Sequence, residues 1–310
     1  MSGEPLATEA SASRRFRSGS DADVDAYLLA DGRFFLFCHL SDARLRDDPA
    51  YARQLAADFP GGRVMGVGRA WKGDEGSMPL PPVWTGDPPV DGELWAVEDG
   101  LRFRLEPERV LNPGLFLDQR DNRRRFSELV GRGVGPNVAA EDGGVLNLFS
   151  YTGAFSLVAR AAGARTTTSV DLSARYLGWE RRNFEGNFEG ADAPRRVRDD
   201  ARDFLRRAVQ KKARYRFIVV DPPTFSRVEK KVFRVREHLL PMVRDALACL
   251  PEHGPSAILV STNDARWDEN EFFSEVESAA NKASATLARG RTPPEFGPAH
   301  PLKSAWLLRG

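Results

Sequence analysis

Cysteine is nearly absent: Cys38 and Cys249 are the only two in 310 residues, far apart and without metal-ligand spacing. That argues against a disulfide scaffold, leaves no cysteine-based metal site to expect, and makes a reducing cytoplasm the expected compartment. No stretch approaches the roughly 18 consecutive apolar residues of a membrane-spanning helix, so no membrane partner is expected. The opening MSGEPLATEASASRRFRSGSDAD has no apolar core of a signal peptide. Its Ser, Ala, Gly and charge content reads as a disordered tail over residues 1–23. There is no internal repeat. Nor is there an overall charge of one sign: the net is +1, which by itself assigns no nucleic-acid partner. The balance is uneven, however, with residues 1–100 net acidic and the remainder net basic. The densest cationic run, Arg195 to Arg236, is compatible with solvated helix faces or with a surface that tracks phosphates by releasing counterions.

What is present is an alternation of short apolar runs and helical stretches. Ala26 to Leu40 reads as two strands joined through Asp31-Gly32, a hairpin dipeptide. Ala50 to Phe59 has helical period, Val64 to Trp71 reads as a strand, and Lys72 to Gly92, rich in Gly, Pro and Asp, as an irregular loop. Strands at Leu94 to Glu98 and Leu101 to Leu105 flank Asp99-Gly100. Residues 24–110 are therefore expected to form a small α+β subdomain of hairpins with one helix. From 111 to 310 seven strand candidates, with helices between them, fit a doubly wound α/β sheet. They are Val145–Phe149, Thr166–Val170, Arg196–Arg198, Phe217–Val220, Ser256–Ser261, Ala283–Leu287 and Ser304–Leu308.

The stretch that organises this second region is GGVLNLFSYTGAFSLVARAAGARTTTSVD, Gly143 to Asp171. An apolar strand leads into the small-residue turn Ser150-Tyr151-Thr152-Gly153-Ala154, then a helix, then a second strand ending in Asp171. A tight turn lets backbone approach a ligand at a helix N-terminus, and an acid at the next strand end can accept from a ribose diol. Asp200 follows the third strand candidate and is placed to accept from an adenine amino group; Asp221 follows the fourth. Ligands of open α/β sheets bind outside these carboxyl ends, so three such acids behind the turn point to a nucleoside cofactor. Upstream, in GLFLDQRDNRRRF, Asp118 or Asp121 can cap a helix. Gln119 and Arg120 are read as lining the cofactor mouth, and Arg123 to Arg125 as facing solvent or phosphate.

Asp221-Pro222-Pro223-Thr224-Phe225 is the most specific signal. Two prolines remove backbone donors and hold the chain extended after a buried strand. Rigid main chain beside an aromatic suits a planar base, held by hydrogen bonds and stacking. The segments GLFLDQRDNRRRF, LNLFSYTGAFS, TTTSVDLS with YLGWERRNFEGN, and DPPTFSR resemble the class I S-adenosylmethionine-dependent RNA methyltransferases of large-subunit ribosomal RNA. They resemble above all the guanine-N7 methyltransferase half of the bifunctional bacterial enzyme. The resemblance is good from Gly114 to Ser261 and weaker around Val64 to Gly73 and Leu94 to Asn112.

It implies a Rossmann-like seven-stranded methyltransferase sheet whose last strand is antiparallel, over residues 111–310. It implies S-adenosylmethionine as cofactor, held by Phe149, Ser150, Tyr151, Thr152, Gly153, Asp171, Leu172, Asp200 and Ala201, with Gln119, Arg120 and Asp221 at its edge. Asp221, Pro222, Pro223 and Phe225 would shape the target-base pocket, and RNA would be the partner. The 5-methylcytosine relatives need a cysteine nucleophile to activate a ring carbon. Here the strand after the catalytic loop ends Val260-Ser261-Thr262-Asn263-Asp264, and Cys249 in the preceding helix reads as a buried small hydrophobe. Methylation of a nitrogen that already carries an in-plane lone pair fits better. The extra RNA-targeting modules of those relatives are not recognisable, which keeps a small-molecule methyltransferase as the rival. His300, in Gly297-Pro298-Ala299-His300-Pro301, is read as structural.

Overall fold

The computed structural model describes residues 13–17, 23–42, 45, 48–60, 63–73, 76–89, 91–108, 111–133, 144–190, 193–228 and 231–310. The chain divides into two compact units, Met1–Leu117 and Asp118–Gly310, a division a few residues beyond the expected 110/111.

In the first unit the strands are β1 (Arg14–Arg17), β2 (Asp23–Leu28), β3 (Phe34–Leu40), β4 (Val64–Gly73) and β5 (Gly76–Trp84), in that spatial order. Helix α1 (Pro49–Asp58) makes the crossover between the parallel pair β3 and β4, and Asp48 caps it by accepting from the Ala50 amide. A hairpin of β6 (Leu94–Glu98) and β7 (Leu101–Leu105) turns through Asp99 and Gly100, both at positive φ. Phe34, Leu36, Val67 and Leu55 centre its core.

Two expectations are corrected here. Arg14–Arg17 belongs to a strand paired with β2 and so is no part of a disordered tail; residues 1–12 and 18–22 lie outside the described residues. Within Lys72 to Gly92, β5 is a strand despite Pro79, Pro81 and Pro82. Among the described residues it pairs with β4 alone, and an edge strand tolerates proline because its outward amides need no partner.

A 3-10 turn (Leu117–Gln119) leads into α2 (Arg120–Gly133), the first helix of the second unit. It continues as β8 (Val145–Leu148), α3 (Ala154–Ala161), β9 (Thr167–Asp171), α4 (Ala174–Glu185), β10 (Arg195–Arg198), α5 (Ala201–Gln210) and β11 (Phe217–Val220). After a hairpin of β12 (Phe225–Val228) and β13 (Lys231–Arg234) come α6 (Val235–Ala248), β14 (Ser256–Thr262), α7 (Glu269–Asn281), β15 (Thr286–Arg289) and β16 (Lys303–Arg309). The sheet order is β10-β9-β8-β11-β14-β16-β15. The first five strands run parallel and β16 is antiparallel to both its neighbours, as the resemblance implied. All residues of β8, β11 and β14 are buried, which is why they read as unbroken apolar runs rather than alternating ones.

The strand order reverses between β8 and β11, so the chain leaves the sheet centre in opposite directions there and opens a crevice at the carboxyl ends. The β12–β13 hairpin was not anticipated: helix α6 begins at Val235 and not at Val232. Among the described residues no helix is long and apolar enough to cross a membrane, and no cluster of His, Cys, Asp and Glu could hold a metal ion.

Candidate active site

The turn after β8 is held in an uncommon backbone shape. Phe149 (φ 57°), Tyr151 (φ 50°) and Gly153 (φ 80°) all lie in the left-handed region, a cost for the two non-glycine residues that recurs at ligand-binding loops. Asp171, at the end of β9, offsets part of it: Oδ2 accepts from the Tyr151 amide at 3.0 Å and Oδ1 from the Ser173 amide at 2.8 Å. Burial pushes its carboxyl above the usual range, while these two amide bonds pull it back. The Tyr151 ring packs edge-on against Tyr176 of α4 at 4.7 Å. Phe149 packs against Phe233 of β13 at 5.1 Å.

Asp171 is partly exposed, and each of its oxygens keeps a lone pair for a further donor. Ser150 Oγ is buried with no hydrogen-bond partner. A vicinal diol that donates to the first and a polar atom that meets the second are what a nucleoside offers, so the loop fits the cofactor that the sequence implies.

Across the switch point, Asp221 leaves the end of β11 and its Oδ1 accepts from Ser261 Oγ at 2.5 Å. Ser261 lies in β14 and in turn accepts from Gln119 Nε2 at 3.3 Å. Gln119 Oε1 accepts from Asn122 Nδ2 at 2.7 Å, and Asn122 Oδ1 from Ser304 Oγ of β16 at 3.4 Å. Every donor in this chain points toward Asp221, though two of its links are long. Burial pushes Asp221 up to about 6. The Ser261 bond, the nearby Gln119 amide and the Arg123 charge oppose the shift, whereas Asp118 adds to it. Pro222 is buried and Pro223 exposed, and Phe225 stands 56% exposed at the start of β12.

The structure therefore gathers Phe149 to Gly153, Asp171, Asp221 and Gln119 around the carboxyl ends of β8, β9, β11 and β14. Leu172 follows Asp171, half-buried, its carbonyl taken by Arg198 Nε at 3.2 Å. Asp200 caps α5 through the Arg202 amide, and its oxygens take Arg202 Nε and Nη2 at 3.0 and 2.7 Å. Ala201 is buried behind it. Arg120 forms a two-pronged pair with Glu295, with contacts of 2.6 and 3.3 Å. Arg123 is a correction: it is 2% exposed and does not face solvent, because α2 buries Asn122, Phe126 and Val130 on the same face. Arg124 is exposed, and Arg125 lies over the Trp306 ring. His300 Nε2 meets Asp118 Oδ2 at 3.1 Å, a structural tie.

Part of the basic run is ion-paired with nearby acids. Arg202 pairs with Asp200, Arg206 with Asp203, Arg207 with Asp199 and Arg236 with Glu271. Both thiols are buried and pushed up, Cys38 to about 12 and Cys249 to about 11, by desolvation. Neither is a nucleophile in that form.

Sequence reasoning passed over Asn122, Ser261 and Ser304 on one side of the crevice and Asn183 and Glu180 on the other. The last two carried a signal, since both fall on the buried face of α4 with Leu177 and Phe184, where a polar residue needs a reason.

Residues 81–308 match the S-adenosylmethionine-dependent methyltransferase family. The chain is 33% identical over 213 residues to the ribosomal RNA large subunit methyltransferase K/L of Methylococcus capsulatus, covering 68% of this chain and 27% of that one. It is 39% identical over 133 residues to the corresponding methyltransferase K of Neisseria meningitidis, covering 43% and 35%. The chain thus spans about a third or less of the length of these two relatives. Among solved structures, an S-adenosylmethionine-dependent methyltransferase from Streptococcus mutans superposes with a TM-score of 0.75 at 26% identity, over 97% of this chain and 76% of that one. A methyltransferase crystallised with S-adenosylhomocysteine superposes at 0.74 with 27% identity over the same shares. With its sheet, its switch-point crevice and this match over most of its length, the chain belongs to the S-adenosylmethionine-dependent methyltransferase family.

Proposed function

We propose that this protein transfers a methyl group from S-adenosylmethionine to RNA, specifically to guanine N7 of large-subunit ribosomal RNA. Bound S-adenosylmethionine supplies a methyl group on a cationic sulfur, ready for displacement. In this reading Asp171 accepts from the ribose hydroxyls, the Phe149–Gly153 loop and Leu172 cradle the cofactor, and Asp200 with Ala201 borders the adenine. Gln119 acts through Ser261 and not on the cofactor directly. Arg120 ties the start of α2 to Glu295.

The observation that carries the reading is Phe225, a large aromatic left 56% exposed two residues after a rigid Asp-Pro-Pro segment. Bases taken out of the stack are held on such aromatic faces. Asp221, ionised above about 6, accepts an N–H from the base and orients it. Guanine N7 needs no general base, so holding it in line at near-attack distance is the main requirement. The absence of a thiol in Val260–Asp264, and the protonated state of Cys249, support nitrogen over carbon. The names of the relatives support ribosomal RNA.

Purified protein is expected to transfer tritium from labelled S-adenosylmethionine to extracted ribosomal RNA. Ribosomal RNA from a deletion strain is expected to lose one 7-methylguanosine by nucleoside mass spectrometry. No transfer to any RNA, with an unchanged nucleoside profile, rejects the proposal.

A small-molecule acceptor is the second reading. It is favoured by the ion pairs that take up part of the basic run. A steep loss of RNA binding between low and moderate salt supports the first reading; absence of RNA binding supports the second.

A further inference from the structure

Glu180 is a fully buried acid on α4 that no step above uses. Its side chain lies directly beneath the cofactor loop. A Cβ added to Gly153 would overlap Glu180 Cγ and lie 2.7 Å from Cδ, so the loop backbone packs onto the glutamate stem with no room between. Glu180 Oε1 accepts from Ser169 Oγ at 2.5 Å. Ser169 and Ser156 share a hydrogen bond of 2.7 Å, and Asn147 Nδ2 donates to Ser156 Oγ at 3.0 Å. The other oxygen, Oε2, is buried with no partner. One turn further along α4, Asn183 Nδ2 donates to the Thr152 carbonyl at 2.9 Å.

Three successive loop residues are thus each held by a polar side chain of the β9–α4 unit. Asp171 takes the Tyr151 amide, Asn183 the Thr152 carbonyl, and Glu180 supports Gly153. Of the three, Glu180 alone can change its charge without touching ligand.

We propose that Glu180 is a positioning residue for the cofactor loop, and that its neutral form holds the loop in the shape that takes an adenosine-type ligand while its ionised form weakens that hold. The inference rests on the cofactor reading above. The physical argument is that a buried carboxylate with a single donor is poorly compensated. Ionising Glu180 therefore favours any movement of the loop that admits water. It also places a second negative charge near Asp171, the group on which the ribose depends. Desolvation pushes Glu180 up to about 7; the Ser169 bond and the Arg196 charge on β10 pull it down, and Asp171 on β9 pushes it up.

The test is calorimetric binding of S-adenosylhomocysteine from pH 6 to pH 8. Wild-type affinity is expected to fall about fivefold across that range, most of the tenfold that one unit of pKa coupling gives between its plateaus. Glu180→Gln, which keeps the shape and the Ser169 contact, is expected to bind with little dependence on pH. Ser169→Ala removes a donor that favours the ionised form, so the pH at which affinity falls is expected to move upward; a merely structural role for the serine would not shift it. A wild-type affinity constant across this range overturns the proposal while leaving the cofactor reading intact. So does a Glu180→Gln profile that follows wild type, or an unmoved profile in Ser169→Ala. Absence of any S-adenosylhomocysteine binding by the wild type overturns both.

Discussion

Beneath the Phe149–Gly153 loop, Asn147, Ser156 and Ser169 form a hydrogen-bond chain that ends on Glu180. Beneath the Asp-Pro-Pro segment, Ser304, Asn122, Gln119 and Ser261 form another that ends on Asp221. Both carboxyls are pushed up chiefly by desolvation, to about 7 and about 6. The chains differ in where they finish. Glu180 is sealed from solvent, whereas Asp221 is partly exposed. One chain therefore shapes backbone from behind, and the other delivers an oriented acceptor to the crevice. Their spans differ as well: the first joins residues within 33 positions of one another, while the second draws on segments more than 140 apart.

If that contrast holds, substitutions on the two sides separate binding from turnover. Asp221→Asn is expected to lower single-turnover methyl transfer on the order of 10²–10³-fold, the usual effect of losing a positioned polar group at the reacting centre. Its S-adenosylhomocysteine affinity should stay within about twofold by calorimetry. Loss of both together would place Asp221 on the cofactor side and break the comparison.

Gly153→Ala is the mirror experiment. The left-handed φ and the overlap with Glu180 are expected to cost about 2–4 kcal/mol in urea unfolding, strain and overpacking combined. S-adenosylhomocysteine binding should be lost with it. Phe225→Ala should raise the KM for RNA about tenfold or more, since stacking of one base contributes ~1–3 kcal/mol; Phe225→Tyr should restore it, and cofactor affinity should not move.

Ser261→Ala gives the smallest effect and the sharpest test. The serine hydroxyl stabilises ionised Asp221, so its loss raises the aspartate further above its ordinary value. On acidification, activity should then fall at a higher pH than in the wild type, where the limb is expected near 6. Ser261→Thr should restore the wild-type limb. An unmoved limb in Ser261→Ala would detach the second chain from Asp221.

The sheet was legible because parallel strands buried on both faces are written as short apolar runs, as in Val145–Leu148 and Phe217–Val220. The hairpin after Asp-Pro-Pro was not, since no Gly- or Asn-type turn dipeptide between β12 and β13 announces it. β5 was hidden by its prolines, which an edge tolerates and a central strand does not. Arg123 was read as solvated from its charge, although its neighbours Asn122, Phe126 and Val130 follow the helical period of a buried face. Asp200 was read toward adenine from its place at a strand end. The sequence did not show that Asp200 also caps α5 and meets Arg202.

From the order of its residues alone, this chain determined its αβ alternation, the turn after β8 and the acids at the ends of β9 and β11. Those follow from local periodicity and backbone preference, which a few neighbouring residues settle. Which carboxyl is sealed, which is open and which is occupied by an arginine was decided only in three dimensions. That outcome depends on donors brought from distant strands and helices, and on how much water each acid loses when the sheet and its helices close around it.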